Sequence, residues 1–146
     1  RNWDPEHEWY APIQDVRHVI NITGGYYVDS KLRILQTTSF GSGSPYTAVV
    51  GRTWDSASSS YLPVWGSYQG SRLPAFYRTD VWIEYLEPGY PLKFWFDKGK
   101  IYAGVGNIFN YKNVYGYSWN SDYSESKEIT NFNSGYSVIF GTEVLF

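Results

Sequence analysis

Charged side chains recur at alternate positions in one apolar run of the chain. Arg78, Asp80 and Glu84 lie within the run from Tyr77 to Tyr85. An arginine close to carboxylates can be interpreted as an active site. The same spacing puts the three side chains on one side of a β-strand, where opposite charges pair with neighbouring strands as an electrostatic ladder. We favour the ladder and expect no enzyme, because no triad, paired carboxylates or nucleophile elbow accompanies them.

Other patterns that could support chemistry have simpler explanations. Gly104-Val-Gly106-Asn107 resembles a phosphate loop only superficially, since no following helix supports it. The acidic segment 120–128 could hold calcium, but its ligand spacing fits no known calcium loop, so a solvated loop is favoured. Two histidines do not suggest a metal site, and the absence of cysteine excludes disulfides and thiolate chemistry. We therefore expect no metal and no cofactor.

Aromatic side chains make up 21% of the chain, and many fall in two long polar segments, 42–75 and 110–133. Aromatic faces stack on sugars, flat chelates or peptides, so these segments are candidates for ligand binding. The candidate contacts are Tyr46, Trp54, Tyr61, Trp65 and Tyr68 in the first segment and Tyr117 and Trp119 in the second. Packing of the segments on themselves, or contact with a surface lipoprotein, explains the same residues equally well.

Alternation with a period of two predicts an all-β, antiparallel, up-and-down meander of about five strands within one domain. The predicted strands are 15–27, 32–41, 76–86, 100–109 and 134–146. Their polar positions form one row: Arg17, Arg33, Arg78, Asp80, Glu84 and Glu143. The last strand carries an apolar row: Tyr136, Val138, Phe140, Val144 and Phe146.

This alternation is compatible with a soluble β-sandwich or with a transmembrane β-barrel. Three features favour the barrel: the last strand ends on Phe146, Tyr77 and Tyr85 bracket an apolar face, and the connections alternate between short and long. In a barrel the apolar rows contact lipid, the polar row lines the lumen, and 42–75 and 110–133 become outer loops. A net charge of −2 gives no general attraction to nucleic acid.

The strand count implies that the chain is only an arc of such a barrel. Single-chain bacterial barrels contain about eight or more strands. An open edge is not tolerated in hydrocarbon, because each unpaired backbone group costs several kcal/mol. We therefore expect the remaining strands to come from other residues of a longer protein or from a partner chain.

Three segments in this order, together with the chain's end, resemble one known family. They are Ser42-Gly-Ser-Pro-Tyr-Thr47, Arg72-Leu-Pro-Ala-Phe-Tyr-Arg-Thr-Asp80 and Asn107-Ile-Phe-Asn-Tyr-Lys-Asn-Val114, and Asp15-Val-Arg-His18 and Phe146 fit as well. The chain resembles the C-terminal barrel strands of TonB-dependent outer-membrane receptors.

The resemblance implies a barrel of about 22 strands in the bacterial outer membrane, with an N-terminal plug and a periplasmic C-terminus. It implies uptake of a scarce nutrient (a siderophore, vitamin, oligosaccharide or peptide) driven by TonB, and a sorting signal at Phe146 and its apolar row. The sequence contains no plug and no TonB-contacting segment, so this chain alone is not expected to transport. The alternative is a secreted, aromatic-rich β-sandwich that binds, for example, carbohydrate.

Overall fold

The protein is all-β and antiparallel, which confirms the predicted fold class at that level. The computed structural model describes residues 2–4, 7–86, 98–130 and 135–145. The chain forms two compact units. We call Ile20–Phe40, Tyr77–Tyr111 and Phe132–Phe146 the sheet unit, and Arg1–Val19, Gly41–Phe76 and Lys112–Asn131 the hairpin unit. The described strands are β1 (Asn2–Asp4), β2 (His7–Tyr10), β3 (Val19–Tyr27), β4 (Leu32–Gly41), β5 (Pro45–Tyr46), β6 (Val49–Asp55), β7 (Ser60–Trp65), β8 (Ser71–Arg72), β9 (Phe76–Leu86), β10 (Lys98–Gly106), β11 (Val114–Trp119), β12 (Ser126–Thr130) and β13 (Ser137–Leu145).

The long strands form one five-stranded sheet in the order β3-β4-β9-β10-β13, with β3 and β13 at its edges. Each strand is hydrogen-bonded to the next long strand along the chain, so the sheet is a meander. The turn from β3 to β4 is closed by Asp29, whose carboxylate accepts the N–H groups of Lys31 and Leu32. These two hydrogen bonds lower the pKa of Asp29, so the turn is held by an ionised side chain.

One face of this sheet, the apolar face, carries no charged side chain among the described residues. Register places Ile101 opposite both Tyr85 and Thr142, and it continues through Ala103 opposite Ile83 and Phe140. On β4 the contact between Thr38 and Thr79 extends the same face. The apolar face consists of Ile20, Ile22, Gly24, Tyr26, Leu32, Ile34, Gln36, Thr38, Phe40, Tyr77, Thr79, Val81, Ile83, Tyr85, Gly99, Ile101, Ala103, Val105, Val138, Phe140, Thr142 and Val144.

The apolar face is not covered by a hydrophobic core. Within the described ranges no hydrophobic side chain is buried. Phe140 on β13 is 85% exposed and Ile83 on the central strand β9 is 49% exposed. Apolar area that stays in water forgoes roughly 25 cal/mol per Å², and an exposed apolar face of this size is typical of an interaction surface.

The opposite face, the polar face, packs large rings onto glycine. Trp82 lies opposite Gly104, and Tyr102 lies opposite Gly141. A Cβ added at Gly104 would stand 2.3 Å from the Trp82 ring, and one at Gly141 would stand 2.4 Å from the Tyr102 hydroxyl. The two rings also contact each other, with centroids 6.3 Å apart. Glycine is required at both positions because the rings lie against the backbone of the neighbouring strand.

The hairpin unit contains the two segments that were predicted as outer loops. Segment 42–75 forms β5 to β8, and segment 110–133 contains β11 and β12. In the hairpin unit β5 pairs with β8, β6 with β7, and β11 with β12. The number of strands therefore exceeds the predicted five, because these strands are short and a register shift between Val49 and Gly51 interrupts the alternation of β6.

Strand ends differ from the predicted ranges where local hydrogen bonding intervenes. Residues 15–18 lie before β3, because tight turns precede the strand. In these turns the Asp15 N–H donates to the Pro12 carbonyl and the Val16 N–H donates to the Gln14 carbonyl. The fourth long strand ends at Gly106 instead of residue 109, because Asn107 has a φ of 53° and leaves the extended conformation. The last strand is described as Ser137–Leu145; Phe146 lies outside the described residues.

Replacing Gly104 tests the ring-on-glycine packing. We expect Gly104→Ala to lower the free energy of unfolding by about 1–3 kcal/mol, because the Trp82 ring of β9 must move away from the backbone of β10. Gly135→Ala is the matched control, since an added Cβ there meets nothing within 4 Å, and it should change stability by less than about 0.5 kcal/mol. Denaturant titration of both variants measures the difference, and equal stabilities would contradict this packing.

Candidate functional site

Ion pairs cross the polar face of the sheet unit. Arg33 on β4 pairs with Glu84 on β9, and Lys100 Nζ on β10 lies 2.9 Å from Glu143 on β13. Arg78 Nε bonds both carboxylate oxygens of Asp80 at 2.8 and 3.0 Å. The structure thus brings Arg33, Arg78, Asp80, Glu84 and Glu143 onto one face, as predicted from their spacing. Each of these six charged side chains has an opposite charge beside it, so the three ion pairs balance one another.

Arg17 is the exception among the residues predicted to line a lumen. It precedes β3 and belongs to the hairpin unit. Its guanidinium lies 3.6 Å from Asp15, which also binds Arg72. The hydrogen bond from Arg72 is the main cause that lowers the pKa of Asp15. Arg17 therefore takes part in a local network that holds the chain before β3, and it does not belong to the ladder of the sheet.

Sequence reasoning missed a buried hydrogen-bonding node at Asn107. Its backbone N–H donates to Asp80 Oδ1 at 2.8 Å, and its side chain donates to the Tyr111 carbonyl at 3.0 Å and accepts from the Tyr111 N–H at 3.1 Å. Asn107 is fully buried. The node joins Arg78 and Asp80 on β9 to the turn after β10. Phe109 and Tyr111, two and four positions after Asn107, were visible in the sequence, but the hydrogen-bond partners of Asn107 were not.

Polar groups on the apolar face satisfy one another. Gln36 donates to Thr38, the hydroxyls of Thr38 and Thr79 lie 2.9 Å apart, and Thr79 donates to the Tyr77 hydroxyl at 3.2 Å. This chain of hydrogen bonds ends at the Tyr77 ring, which contacts the rings of Phe109 and Tyr111. These hydrogen bonds satisfy part of the bonding capacity of the four side chains within the protein, which lowers the cost of placing them in an apolar environment.

The apolar row predicted for the last strand lies at the edge of the sheet unit. Val138, Phe140 and Val144 stand opposite Val105, Ala103 and Gly99 of β10 and so belong to the apolar face. Tyr136 directly precedes β13 and is exposed. Whether Phe146 continues the row falls outside the described residues. The row is thus part of a wider apolar surface that spans every strand of the sheet.

The seven aromatic residues predicted to bind ligand do not form one site. Tyr46 contacts Tyr117 with ring centroids 5.5 Å apart, and Tyr68 contacts Tyr10 at 4.8 Å. Burial is the main cause that raises the pKa of Tyr46, and this residue is half-buried. Trp65 lies opposite Val49 on the β6–β7 hairpin, and Trp119 lies opposite Ser126 on β11–β12.

Trp54 and Tyr61 form the most exposed of these aromatic contacts. They are opposite residues on β6 and β7, with centroids 5.1 Å apart and planes at 72°. The Arg52 guanidinium lies 4.5 Å above the Tyr61 ring and pairs with the Asp122 carboxylate. The Ser124 hydroxyl is the main cause of the lowered pKa of Asp122, and Arg52 lowers it further. The resulting cluster combines two rings with an ion pair.

Within the ranges given above, no three His, Asp or Glu side chains gather as a metal site. No helix among the described residues is long and apolar enough to cross a membrane. Comparison with models of protein families gave no match, and neither the curated proteins nor the solved structures contained a significant match.

Two ion pairs of unequal exposure allow a matched test of the polar face. The Glu84 side chain is 13% exposed and that of Glu143 is 59% exposed. We expect Glu84→Gln to lower the free energy of unfolding by about 1–3 kcal/mol, because Arg33 is left without its charge partner. Glu143→Gln should cost no more than about 1 kcal/mol, as exposed pairs do.

Denaturant titration measures the free energy of unfolding of both variants. The double variant Arg33→Leu with Glu84→Leu shows whether loss of the ion pair or the unpaired Arg33 charge causes the loss of stability in Glu84→Gln. We expect the double variant to recover most of the loss. Equal losses of stability in Glu84→Gln and Glu143→Gln would contradict the conclusion that the pair of Arg33 and Glu84 is the less exposed one.

Proposed function

We propose that this chain is an arc of a transmembrane β-barrel in the bacterial outer membrane and belongs to a TonB-dependent receptor that takes up a scarce nutrient. The observation that carries the proposal is the uncharged, uncovered face of the five-stranded sheet, backed by a face that carries paired charges. A barrel wall in a membrane needs these two surfaces, one for lipid and one for a polar interior.

The size of the apolar face supports a membrane environment. From Tyr77 to Tyr85 the central strand β9 advances roughly 26 Å, or about 20 Å along the membrane normal at a tilt of about 40°. An outward apolar band in outer-membrane barrels is about 25 Å tall and is flanked by aromatic residues. Tyr77, Phe109 and Tyr111 lie at one end of β9, and Tyr85 and Tyr26 lie at the other.

Topology also supports a barrel wall. In this meander the short turn Val28–Lys31 lies at one end of the sheet, and the long connections from β4 to β9 and from β10 to β13 leave from the other end. Outer-membrane barrels have short periplasmic turns and longer outer loops. The connections that contain β5–β8 and β11–β12 are therefore the outer ones in this proposal, and the C-terminus is periplasmic.

The edges of the sheet argue against the β-sandwich alternative. A sandwich buries one face of each sheet in a shared core, and no such core exists among the described hydrophobic residues. β3 and β13 pair on one side only in the described sheet. In a bilayer both must pair further, so we propose that strands of a longer protein or a partner chain complete the barrel.

Assignment to TonB-dependent receptors rests on the resemblance of three segments, two of which meet in the structure. Asp80 ends the segment 72–80, and its carboxylate binds the backbone of Asn107, which begins the segment 107–114. In this proposal a plug, the contact with TonB and a possible surface lipoprotein are supplied outside this chain. Arg33, Arg78, Asp80, Glu84 and Glu143 then face the lumen and the plug.

Substitution on the two faces tests the proposal. We expect Ile83→Arg, on the apolar face, to reduce the amount of folded protein in the outer-membrane fraction, because a charge near the bilayer centre costs about 2–4 kcal/mol. Asn21→Arg, on the polar face of β3, should leave that amount unchanged. The measurement is the heat-modifiable band of the protein expressed from its own gene, in separated membrane fractions.

Ile83 is half exposed, so a water-facing sheet would tolerate arginine there. Wild-type levels of the Ile83→Arg protein, or its recovery as a folded water-soluble chain, would therefore contradict the proposal.

A further inference from the structure

We propose that the β6–β7 hairpin carries a binding platform for a neutral carbohydrate. The platform consists of Trp54, Tyr61 and Arg52 from this hairpin together with Asp122 from the segment between β11 and β12, and we call it the Trp54 platform. The inference deepens the proposed function by naming a ligand class, and it rests on that proposal for placing the hairpin on the outer side of the membrane.

The platform is held in place before any ligand arrives. Trp54 and Tyr61 face each other across β6 and β7, and the Asp55 carboxylate fixes the intervening turn by accepting the N–H groups of Ala57 and Ser58. Arg52 covers the Tyr61 ring and is tied to the Asp122 backbone carbonyl at 3.0 Å. Trp54 nevertheless stays 56% exposed. An ordered, exposed indole loses little conformational freedom when it binds.

The charge balance of the platform selects the ligand. Arg52 is paired with Asp122, so it does not offer an uncompensated positive charge to a phosphate, a carboxylate or an anionic chelate. The lowered pKa keeps Asp122 ionised at and above its ordinary pKa near 3.8. A carboxylate that only accepts and a guanidinium that only donates are complementary to hydroxyl groups, each of which does both.

The aromatic side chains supply the other half of a sugar site. An indole presents a broad apolar face, and the C–H face of a pyranose ring can stack on it while the hydroxyls around its edge bond to polar neighbours. Along β7, Tyr61, Pro63 and Trp65 occupy alternate positions and so share one side of the strand. This row extends roughly 13 Å, which suits a chain of sugars better than a single small molecule.

Binding to glycans tests the inference directly. The protein expressed from its own gene, kept in a zwitterionic detergent because sugar-headed detergents would compete, is screened on an array of neutral and acidic glycans. Isothermal titration calorimetry then measures the affinity of the best neutral oligosaccharide for three proteins: wild type, Trp54→Ala and Leu62→Ala. Leu62 is exposed on the same hairpin but lies opposite Thr53, on the other side from Tyr61.

We expect a neutral oligosaccharide to bind, Trp54→Ala to weaken binding at least about tenfold, and Leu62→Ala to change it less than about twofold. Affinity should be the same at about 50 mM and about 500 mM salt, because the ligand has no charge to screen. Binding restricted to acidic glycans, failure of every neutral glycan, or equal affinity of wild type and Trp54→Ala would overturn the inference.

The two proposals fail separately. Trp54-dependent binding by a chain that does not enter the membrane would support the platform and overturn the barrel. Normal membrane insertion without binding to any neutral glycan would support the barrel and overturn the platform.

Discussion

The uncharged face of the five-stranded sheet is the constraint on which the structure depends. Alternation in β9 and β10 sends Val81, Ile83 and Ala103 to one side, and the antiparallel register repeats this choice on neighbouring strands. A side chain that pointed the other way would need a one-residue slip of register, which would exchange the two faces of that strand. The described residues provide no cover for this face, and the proposed membrane environment would supply one.

The other features of the sheet unit agree with that environment. The side chains of Gln36, Thr38 and Thr79 are hydrogen-bonded to one another. Charges are confined to the opposite face, where Arg33 pairs with Glu84 and Lys100 pairs with Glu143. Large rings on that face pack against glycine residues of the neighbouring strand. A polar face with paired charges and an uncharged opposite face fit the alternation of strands in outer-membrane barrels.

Sequence alone predicted the long strands because their alternation is strong. The predicted ranges 32–41 and 76–86 coincide with β4 and β9. It failed in segment 42–75, where a register shift between Val49 and Gly51 interrupts the alternation of the hairpin. Short hairpins in a Ser- and Gly-rich segment have no long period to detect, so they were taken for loops.

The candidate site was less predictable, because it depends on contacts between distant residues. Aromatic residues were identified as candidate ligand contacts, but the sequence could not separate packed Tyr46 from exposed Trp54. Arg52 and Asp122 were not identified, since they are 70 positions apart and only the fold brings them together. Asn107 likewise acquires its role from Asp80 and Tyr111. Alternation predicts which face a residue occupies, whereas pairing across segments must be seen in the structure.

Accessibility of spin labels along β9 is the most direct test of the central claim, that the apolar face contacts lipid. The chain has no cysteine, so single cysteines placed at positions 79 to 84 can each carry one nitroxide. In the membrane-embedded protein, labels at 81 and 83 should collide readily with oxygen, which partitions into lipid, and rarely with a water-soluble nickel complex. Labels at 80, 82 and 84 should show less contact with oxygen relative to nickel. Contact of labels at 81 and 83 with nickel, or their protection from both reagents, would contradict the account.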